Sequence, residues 1–229
     1  MSGSRSRSIC ASTWSNVTDA RSFSGASSTR RTALVDTSLG SDLIETDRLI
    51  IRLAGAGDVP EIVRYYADNQ TFLQPFSPTF GPDQLDESTW HEQVIERQLE
   101  FSRRDSFRAF VFAREMPRRI VGNVNLTQVV RGAFDSCVLG YNLAEEAQGR
   151  GYMTETVRAV VDFAFRRWGL HRVAAAYMPR NERSAAVLAR CGFKVEGHAP
   201  AYLRINGRWE EHVLTAATNP EWSPARSPD

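Results

Sequence analysis

The sequence predicts one α+β domain, in which helices cover both faces of a single mixed and mostly antiparallel sheet. Two observations predict it. Three strand-like segments in the middle of the chain follow one another with short connections, which is typical of an antiparallel meander. Strand-like and helix-like segments then alternate along the C-terminal part, which is typical of helices packed on a sheet. Together they predict a three-layer αβα arrangement around about six to seven strands.

The first part of the domain is predicted to supply one strand and two helices. The apolar run at 49–53 predicts the first strand. Asp58 is a suitable N-cap for a helix that extends to Tyr66, because apolar residues recur at helical spacing up to that point. An irregular aromatic segment is predicted at 72–78. A second helix is predicted at 87–103, where the apolar positions are only roughly periodic.

The meander is predicted at 107–113, 120–130 and 137–143. Its first strand alternates poorly but is rich in aromatic and apolar residues, which favour strands. The arginine pair at 118–119 is interpreted as the first turn, and Gly132 as the start of the second.

The C-terminal part begins with a long helix predicted at 152–168. Its apolar residues fall on one face at helical spacing, and Gly169 follows as the residue that ends it. Asn206 and Gly207 form a hairpin-type turn between the last two strands. The remaining predicted elements are a strand at 172–177, a helix at 181–191 and strands at 193–196 and 209–216.

Length and composition favour one folded domain with polar tails. A chain of 229 residues can bury one sizeable core. We expect the domain at 43–222, a disordered Ser/Arg-rich tail at 1–42 and a short C-terminal tail at 223–229. The long tail has few apolar residues and no period. It is interpreted as a transit peptide, as the result of a start codon assigned too far upstream, or as a plain solvated extension, and these alternatives stay open.

Charge and cysteine content argue against several function classes. The net charge is +1, from 28 Lys+Arg against 27 Asp+Glu, so we expect no specific nucleic-acid partner. The three cysteines, Cys10, Cys137 and Cys191, show no C-x-x-C spacing. We therefore expect no disulfide framework, no metal site and a reducing, cytoplasmic compartment. No apolar run is long enough to span a bilayer, so a membrane partner is not expected either.

A glycine-containing loop carries the first chemical signal. The segment Gln148-Gly149-Arg150-Gly151 stands directly before the long helix. Glycines let the backbone come close to a ligand, and a helix start presents unpaired N–H groups and a positive dipole end. The loop therefore predicts a pyrophosphate site, with Arg150 placed to meet phosphate. On this segment alone, a plain turn between strand and helix remains the alternative.

The same loop differs from two common nucleotide-binding motifs. It lacks the Lys-Ser/Thr ending of a nucleotide P-loop, which argues against ATP or GTP hydrolysis. Thr154 stands where a dinucleotide fingerprint needs its third glycine.

Two segments together resemble the GNAT acetyltransferases. Gln148, Gly151 and Met153 match the Q/R-x-x-G-x-G/A loop of that superfamily, except that Met153 replaces the final small residue. The pattern N-x-x-A/S-x-x-L-Y-x-x-x-G-F is matched in spacing by Asn181, Ser184, Val187, Leu188, Gly192 and Phe193. The resemblance covers residues 45–222. It is nearest to the RimJ/RimL branch, and within it to the RimJ group of ribosomal-protein-alanine N-acetyltransferases.

The resemblance implies the GNAT fold and acetyl-CoA as the acetyl donor. In that fold the sheet splays between its central strands, here 137–143 and 172–177. The pantetheine arm lies in the gap against backbone near Leu143, and the pyrophosphate rests on the glycine-containing loop. The implied cofactor-binding residues are Leu143, Gln148, Gly149, Arg150, Gly151, Tyr152, Met153, Thr154, Asn181 and Ser184.

The resemblance also implies direct attack of a neutral amine on the thioester. The tyrosine that many GNAT enzymes use for the leaving thiolate falls at Leu188, which cannot donate a hydrogen bond. Ser184 is therefore expected to take that catalytic role, with Asn181 beside it. An ordinary first-turn serine and a plain N-cap are the alternatives for these two residues. The general base is not assigned; His212 titrates in the useful range, and ordered water is another candidate.

The acceptor is expected to be the N-terminal α-amine of a protein, in particular a ribosomal protein that begins with alanine. Phe72, Phe76 and Tyr202 are the expected acceptor-binding residues, with core packing as the alternative for each. Two other functions stay open: acetylation of a small amine, such as a polyamine, an aminoglycoside or a toxin, and a non-catalytic ribosome-associated protein that binds CoA. A monomer and a homodimer are both compatible with the sequence.

Overall fold

The structure is a computed structural model that describes residues 44–79 and 81–224. The predicted tail at 1–42 and the residues at 225–229 lie outside the described residues, and the tail predictions stay predictions. The described helices are α1 (Val59–Leu73), α2 (Glu87–Ser102), α3 (Tyr152–Arg166) and α4 (Glu182–Arg190). The described strands are β1 (Ile44–Glu45), β2 (Leu49–Arg52), β3 (Phe107–Ala113), β4 (Met116–Val130), β5 (Ser136–Leu143), β6 (Arg172–Tyr177), β7 (Lys194–Ile205) and β8 (Arg208–Thr218).

All of these strands join one sheet in the order β1-β2-β3-β4-β5-β6-β8-β7. Every neighbouring pair is antiparallel except β5 and β6, which run parallel. The predicted mixed and mostly antiparallel sheet is thus confirmed. The strand beyond the predicted six to seven is β1, and its two residues are too short to show a period in the sequence.

Helices cover both faces of the sheet, as two consecutive residues of β5 show. The Asn142 side chain accepts a hydrogen bond from the Tyr65 hydroxyl of α1. The Tyr141 hydroxyl contacts Ser184 of α4. Because successive side chains of a strand point to opposite faces, α1 and α4 lie on opposite sides of the sheet.

Helix α1 is longer than predicted. It continues past Tyr66 to Leu73 and leads into a 3-10 turn at Gln74–Phe76, so the predicted irregular segment begins two residues later than expected, at Gln74. The polar run after Tyr66 concealed the continuation, because Asn69 faces the core there. Its amide is satisfied by donating to a carbonyl one turn back and accepting the Glu145 N–H at 2.9 Å, so burial of a polar side chain is tolerated.

Two strands also differ from their predicted bounds. The arginine pair at 118–119 belongs to β4, and the turn before it is Arg114-Glu115, since Ala113 pairs with Met116. Strand β7 begins after Phe193 and extends to Ile205, far beyond residue 196. An irregularity in its pairing with β8 between residues 199 and 203 keeps the strand in the sheet despite Pro200.

The core lies where α3 packs on the sheet. Val157, Val160 and Ala164 of α3 are fully buried, in line with the predicted stripe. The helix is followed by Gly169 at a φ of 65°, which fits the predicted helix end. Burying a Val side chain stabilises the fold by about 1.5–3 kcal/mol, so this face fixes α3 firmly on the strands.

The sheet opens between β5 and β6. Their parallel pairing comprises Ser136↔Arg172, Cys137↔Val173 and Val138↔Ala174. Beyond these pairs β5 continues to Leu143 and β6 to Tyr177, so the two strands part toward their C-terminal ends. We call the space between these strand ends the splay; it lies between the two strands for which the resemblance implies it.

Candidate active site

The β5 wall of the splay presents backbone groups to it. Leu143 pairs with Gly122 of β4, and the neighbouring Ala144 N–H donates to the Val121 carbonyl at 2.8 Å. In an antiparallel ladder this pattern makes Leu143 and Gly122 a non-hydrogen-bonded pair, so the Leu143 N–H and carbonyl point away from β4 and into the splay. The carbonyl accepts from Gln148 Nε2 at 3.3 Å. The Leu143 N–H therefore faces the place where a ligand arm could lie.

The glycine-containing loop ends in the first turn of α3. Gly149 and Gly151 have φ values of 76° and 77°, a backbone conformation that favours glycine. The first hydrogen bond within the helix is Glu155 N–H to the Gly151 carbonyl, at 3.1 Å. The N–H groups ahead of it, on Tyr152, Met153 and Thr154, are the unpaired donors of a helix start. They provide a concave, electropositive backbone surface for a phosphate.

Met153 does not narrow this loop. Its side chain is only 5% exposed and belongs to the core under α3, as does that of Tyr152. The departure from the GNAT loop pattern is therefore accommodated on the core side, and the backbone N–H remains at the helix start. Arg150 is half-exposed, and its guanidinium lies 3.6 Å from the Glu115 carboxylate.

A clamp that the sequence analysis missed holds the back of the loop; we define it as Thr46, Arg48 and Glu155. Arg48 donates to the Arg150 carbonyl at 2.9 Å and to the Glu155 carboxylate at 2.7 Å. Thr46 donates to the same carboxylate at 2.6 Å. Burial alone would raise the pKa of Glu155, but the hydrogen bonds from Thr46 and Arg48 outweigh it and lower the pKa. Glu155 thus stays charged and ties α3 to the start of β2.

Two hydroxyl groups meet beside the splay. Asn181 caps α4, since its Oδ1 accepts the Ser184 N–H at 3.1 Å. The Ser184 Oγ lies 2.9 Å from the Tyr141 hydroxyl. Tyr141 was missed by sequence analysis, and it contacts Ser184 only because β5 and α4 are brought together by the fold. Leu188 is 1% exposed and lies in the core, as expected for a residue without a polar role.

The face of the sheet that α1 contacts is accessible next to the splay. Along β6, Ala174 and Ala176 are half-buried, whereas Ala175, which points to the opposite face, is buried. We call this accessible side the acceptor face. By register it also carries Asn142 and Leu214, and the buried residues Asn123, Asn125 and His212. The glycine-containing loop and the acceptor face therefore approach the splay from different sides.

The predicted acceptor residues lie near one end of this face. Phe72 packs against the core at the end of α1, and Phe76 is 42% exposed. Tyr202 is half-buried, with its ring centroid 5.6 Å from that of His212. Tyr202 thus packs against the ring of His212, whereas Phe76 is exposed at the surface.

A short segment bridges the two halves of the domain there; we call residues 74–77 the strap. The Asn206 N–H donates to the Ser77 carbonyl at 3.0 Å, and Gln74 Nε2 donates to the Asn206 amide oxygen at 3.2 Å. Arg180 donates to the Pro75 carbonyl at 3.2 Å and forms an ion pair with Glu210 at 2.7 Å. The strap is thereby fastened both to the β7–β8 hairpin and to the segment before α4.

His212 is a buried titratable group on the acceptor face. It is 3% exposed, and its Nδ1 lies 3.0 Å from the Glu210 carbonyl. Burial lowers the pKa of His212 below its usual value of about 6.5, so the imidazole is neutral at pH 7. Glu211 points the other way, toward His198 at 3.3 Å, as strand alternation predicts.

Residues 44–79 and 81–224 contain neither a cluster of metal-ligating side chains nor a membrane-spanning helix. No group of three or more His, Cys, Asp or Glu side chains there is arranged to hold a metal ion. In the same residues no helix has the length and apolar character needed to cross a membrane.

Comparison with known proteins gives matches over most of the chain. The Acetyltransferase (GNAT) domain family matches residues 48–194. The ribosomal protein uS5-alanine N-acetyltransferase of Escherichia coli is 40% identical over 185 residues, which cover 80% of this chain and 94% of that protein. The glycine-containing loop, Tyr141 and Ser184 all lie within the family match.

Solved structures give the same picture. A ribosomal-protein-S5-alanine acetyltransferase from Vibrio fischeri superposes with a TM-score of 0.76 at 34% identity, over 80% of this chain and 99% of that one. RimJ of Mycobacterium smegmatis in complex with CoA-disulfide gives a TM-score of 0.70 at 28% identity, over 76% and 83% of the two chains.

Proposed function

The chain belongs to the GNAT acetyltransferase family. On that premise we propose that it transfers an acetyl group from acetyl-CoA to the N-terminal α-amine of a ribosomal protein, with alanine as the first residue. The observation that carries the proposal is the splay, which has donor groups on one side and an accessible face on the other. The choice of acceptor is supported by the relatives named for ribosomal-protein-alanine acetylation.

The residues present fit acetyl-CoA. Gly149 and Gly151 keep the loop backbone open, and the helix-start N–H groups of residues 152–154 suit a pyrophosphate. The Leu143 N–H would bind the pantetheine arm, in the way an added strand pairs with an exposed edge. Gln148 holds the carbonyls of residues 143 and 144 and so fixes the strand end next to the loop.

Acetyl-CoA supplies an activated acetyl thioester when bound. The acceptor amine attacks the acetyl carbon, so a C–N bond forms, the C–S bond breaks and its electron pair leaves with sulfur. The nitrogen gives up one proton. An α-amino group has a pKa of about 7.7–8.0, so a useful fraction is neutral at pH 7. Backbone N–H groups of β5 would stabilise the developing oxyanion, and Ser184 would donate a hydrogen bond to the leaving sulfur.

The amine proton needs an acceptor on the opposite side. His212 lies on the acceptor face and is neutral at pH 7, so it suits this task directly or through a water molecule. Its Nδ1 lies against the Glu210 carbonyl, which orients the ring. We therefore propose His212 as the proton acceptor.

A small polyamine is a less suitable acceptor. Its binding requires unpaired carboxylates close to the reaction centre. Of the carboxylates on β8, Glu210 is paired with Arg180, and Glu211 points to the opposite face of the sheet. Strand β8 therefore offers no free pair of negative charges on the acceptor face.

The function is tested by the acetyl-CoA-dependent mass gain of an acceptor panel. It contains peptides with free N-terminal Ala, Ser or Met, an N-terminally blocked Ala peptide that carries a lysine, spermidine and an aminoglycoside. Gain of one acetyl group on the free Ala peptide alone is expected. Gain on the blocked peptide or only on a small amine would overturn the acceptor. Acetyl-CoA binding without any gain would instead favour the non-catalytic alternative.

A further inference from the structure

We propose that Tyr141 is a positioning residue for Ser184, and that the two hydroxyls form one hydrogen-bonded chain directed at the leaving sulfur. This inference rests on the proposed function, since it concerns the thiolate that acetyl transfer produces. It gives a residue of β5 a role in stabilising the leaving thiolate. The GNAT sequence pattern at 181–193 does not include this residue.

The position of Tyr141 follows from strand register. It pairs with Val124 of β4 and lies in the part of β5 beyond Val138, where β6 has already separated. Its side chain points to the α4 face, and its hydroxyl lies 2.9 Å from Ser184 Oγ and 3.3 Å from the Ser184 carbonyl. Tyr141 thus reaches the first turn of α4 from the wall of the splay.

The proposed chain runs through the shorter of the two contacts that the Tyr141 hydroxyl makes with Ser184, at 2.9 Å to Oγ against 3.3 Å to the carbonyl. Burial raises the pKa of Tyr141 well above its ordinary value of about 10, and the contact with Ser184 offsets only part of the rise. The phenol is therefore protonated at physiological pH and can donate to Ser184 Oγ. The serine proton is then available to a different acceptor. Chains of hydrogen bonds polarise one another, by about 10–30% per bond, so Tyr141 strengthens the donor that Ser184 offers.

The protons stay on their oxygens. A thiol has a pKa of about 8.5, well below that of a phenol, so transfer from Tyr141 through Ser184 to a thiolate would be unfavourable. The pair therefore stabilises negative charge on sulfur by hydrogen bonding alone. Asn181 holds the Ser184 N–H and Tyr141 holds its Oγ, so the serine is fixed at two points.

The test uses the thiol pKa of bound CoA, which is measured from the ultraviolet absorbance of the thiolate as pH is raised. We expect wild-type protein to lower this pKa, since the hydroxyl pair stabilises the charged form. In Tyr141→Phe the pKa should rise, and in Ser184→Ala it should rise further. The double variant should match Ser184→Ala, because Tyr141 acts only through the serine.

Tyr65→Phe is the matched control. It also removes a buried phenol hydroxyl that contacts β5, but from the opposite face and toward Asn142. Any effect of a loosened strand should appear in both tyrosine variants, whereas the shift in thiol pKa should appear only in Tyr141→Phe. Equal titration curves for wild type and Tyr141→Phe would overturn the inference, as would a shift that persists undiminished in the Ser184→Ala background.

Kinetics give a second readout. Removing a direct donor to a developing charge lowers kcat by about 10²–10³-fold, and we expect a smaller loss for Tyr141→Phe because it acts through Ser184. The KM for acetyl-CoA should be unchanged; a rise in KM with kcat preserved would contradict a positioning role. CoA binding with coincident titration curves would overturn this inference alone. Absence of CoA binding would overturn the proposed function along with it.

Discussion

At the scale of single residues, Gly149 tests whether the glycine-containing loop needs its left-handed backbone conformation. A Cβ added there would meet no atom within 4 Å, so space does not limit substitution, but its φ of 76° does. An L-residue in that region costs about 1–2 kcal/mol. We expect Gly149→Ala either to lose about that much unfolding free energy or to change the loop conformation, and in both cases to weaken acetyl-CoA binding. Urea unfolding and calorimetric titration measure the two effects.

Gly57→Ala controls for the added methyl group. A Cβ at Gly57 also meets nothing within 4 Å, and the residue lies in a 3-10 turn without a positive φ. Stability and acetyl-CoA affinity should both stay near wild type in this variant. A Gly149→Ala protein with unchanged affinity would show that the loop conformation is not needed for the donor.

His212 gives a prediction for the pH dependence of stability. Burial lowers its pKa in the folded state, so between that pKa and about 6.5 the unfolded chain binds the proton more readily. Its contribution to stability is therefore present above about pH 6.5 and is lost as pH falls through the lowered pKa. Below pH 6.5, we expect the unfolding free energy of His212→Gln to fall less steeply than that of wild type. If the unfolding free energies of His212→Gln and wild type changed in parallel with pH, the prediction would be contradicted. His198→Gln, which changes an exposed histidine, is the control.

At the scale of elements, the sequence predicted the glycine loop and the strand–helix order because both are local patterns. Prediction from the sequence failed where contacts between residues distant in the chain determine the structure. Asn69 extends α1 because its amide finds partners in the fold, and Pro200 is tolerated because β7 is irregular there. Arg48 and Tyr141 carry no motif, and each contacts its partner only after strand register is set.

The clamp of Thr46, Arg48 and Glu155 is testable as an element-scale feature. Glu155→Ala removes the carboxylate that ties α3 to the start of β2. Hydrogen bonds to charged groups contribute about 1.5–3 kcal/mol, and partial exposure of Arg48 reduces this, so we expect about 1–2 kcal/mol of lost stability. Acetyl-CoA affinity should also fall, because Arg48 then holds the Arg150 carbonyl less firmly. Thermal unfolding and titration measure both.

Asp162→Ala is the control on the same helix. Asp162 pairs with Arg166 at 2.7 Å, but both side chains are mostly exposed, and such pairs contribute about 0–1 kcal/mol. Its removal should change neither stability nor affinity appreciably. If Asp162→Ala and Glu155→Ala lowered the acetyl-CoA affinity equally, the loss of negative charge on α3 would explain the effect, and the clamp would not.

At the scale of the whole molecule, the proposed function has the parting of β5 and β6 separate the two substrates. Adjacent residues of β5 point to opposite faces, Tyr141 toward the donor side and Asn142 toward the acceptor face. The glycine-containing loop follows β5, whereas the strap crosses from α1 to the β7–β8 hairpin. One break in the sheet therefore provides a route to the same point from both faces, and the strap borders only one of them.

This separation predicts that loosening the strap affects the acceptor and leaves the donor unaffected. Arg180→Gln removes the ion pair with Glu210 and weakens the contact with the Pro75 carbonyl. Asn206→Gly removes the amide that Gln74 contacts, while glycine tolerates the φ of 44° and keeps the N–H that binds Ser77. We expect the KM for the acceptor peptide to rise several-fold in each of the two variants. One lost hydrogen bond lowers the binding free energy by about 1 kcal/mol, which corresponds to a change of that size.

Arg204→Gln distinguishes the strap from the hairpin itself. Arg204 lies on the same hairpin and, within the described part of the chain, donates to the Gly207 carbonyl at 3.3 Å, so its loss perturbs the turn without touching the strap. Initial-rate kinetics with both substrates varied should give wild-type acceptor KM for this variant and unchanged acetyl-CoA KM for all three. A rise in acetyl-CoA KM in the strap variants would mean that the two sides of the splay are coupled, because an ordered strap would then be needed for the donor to bind.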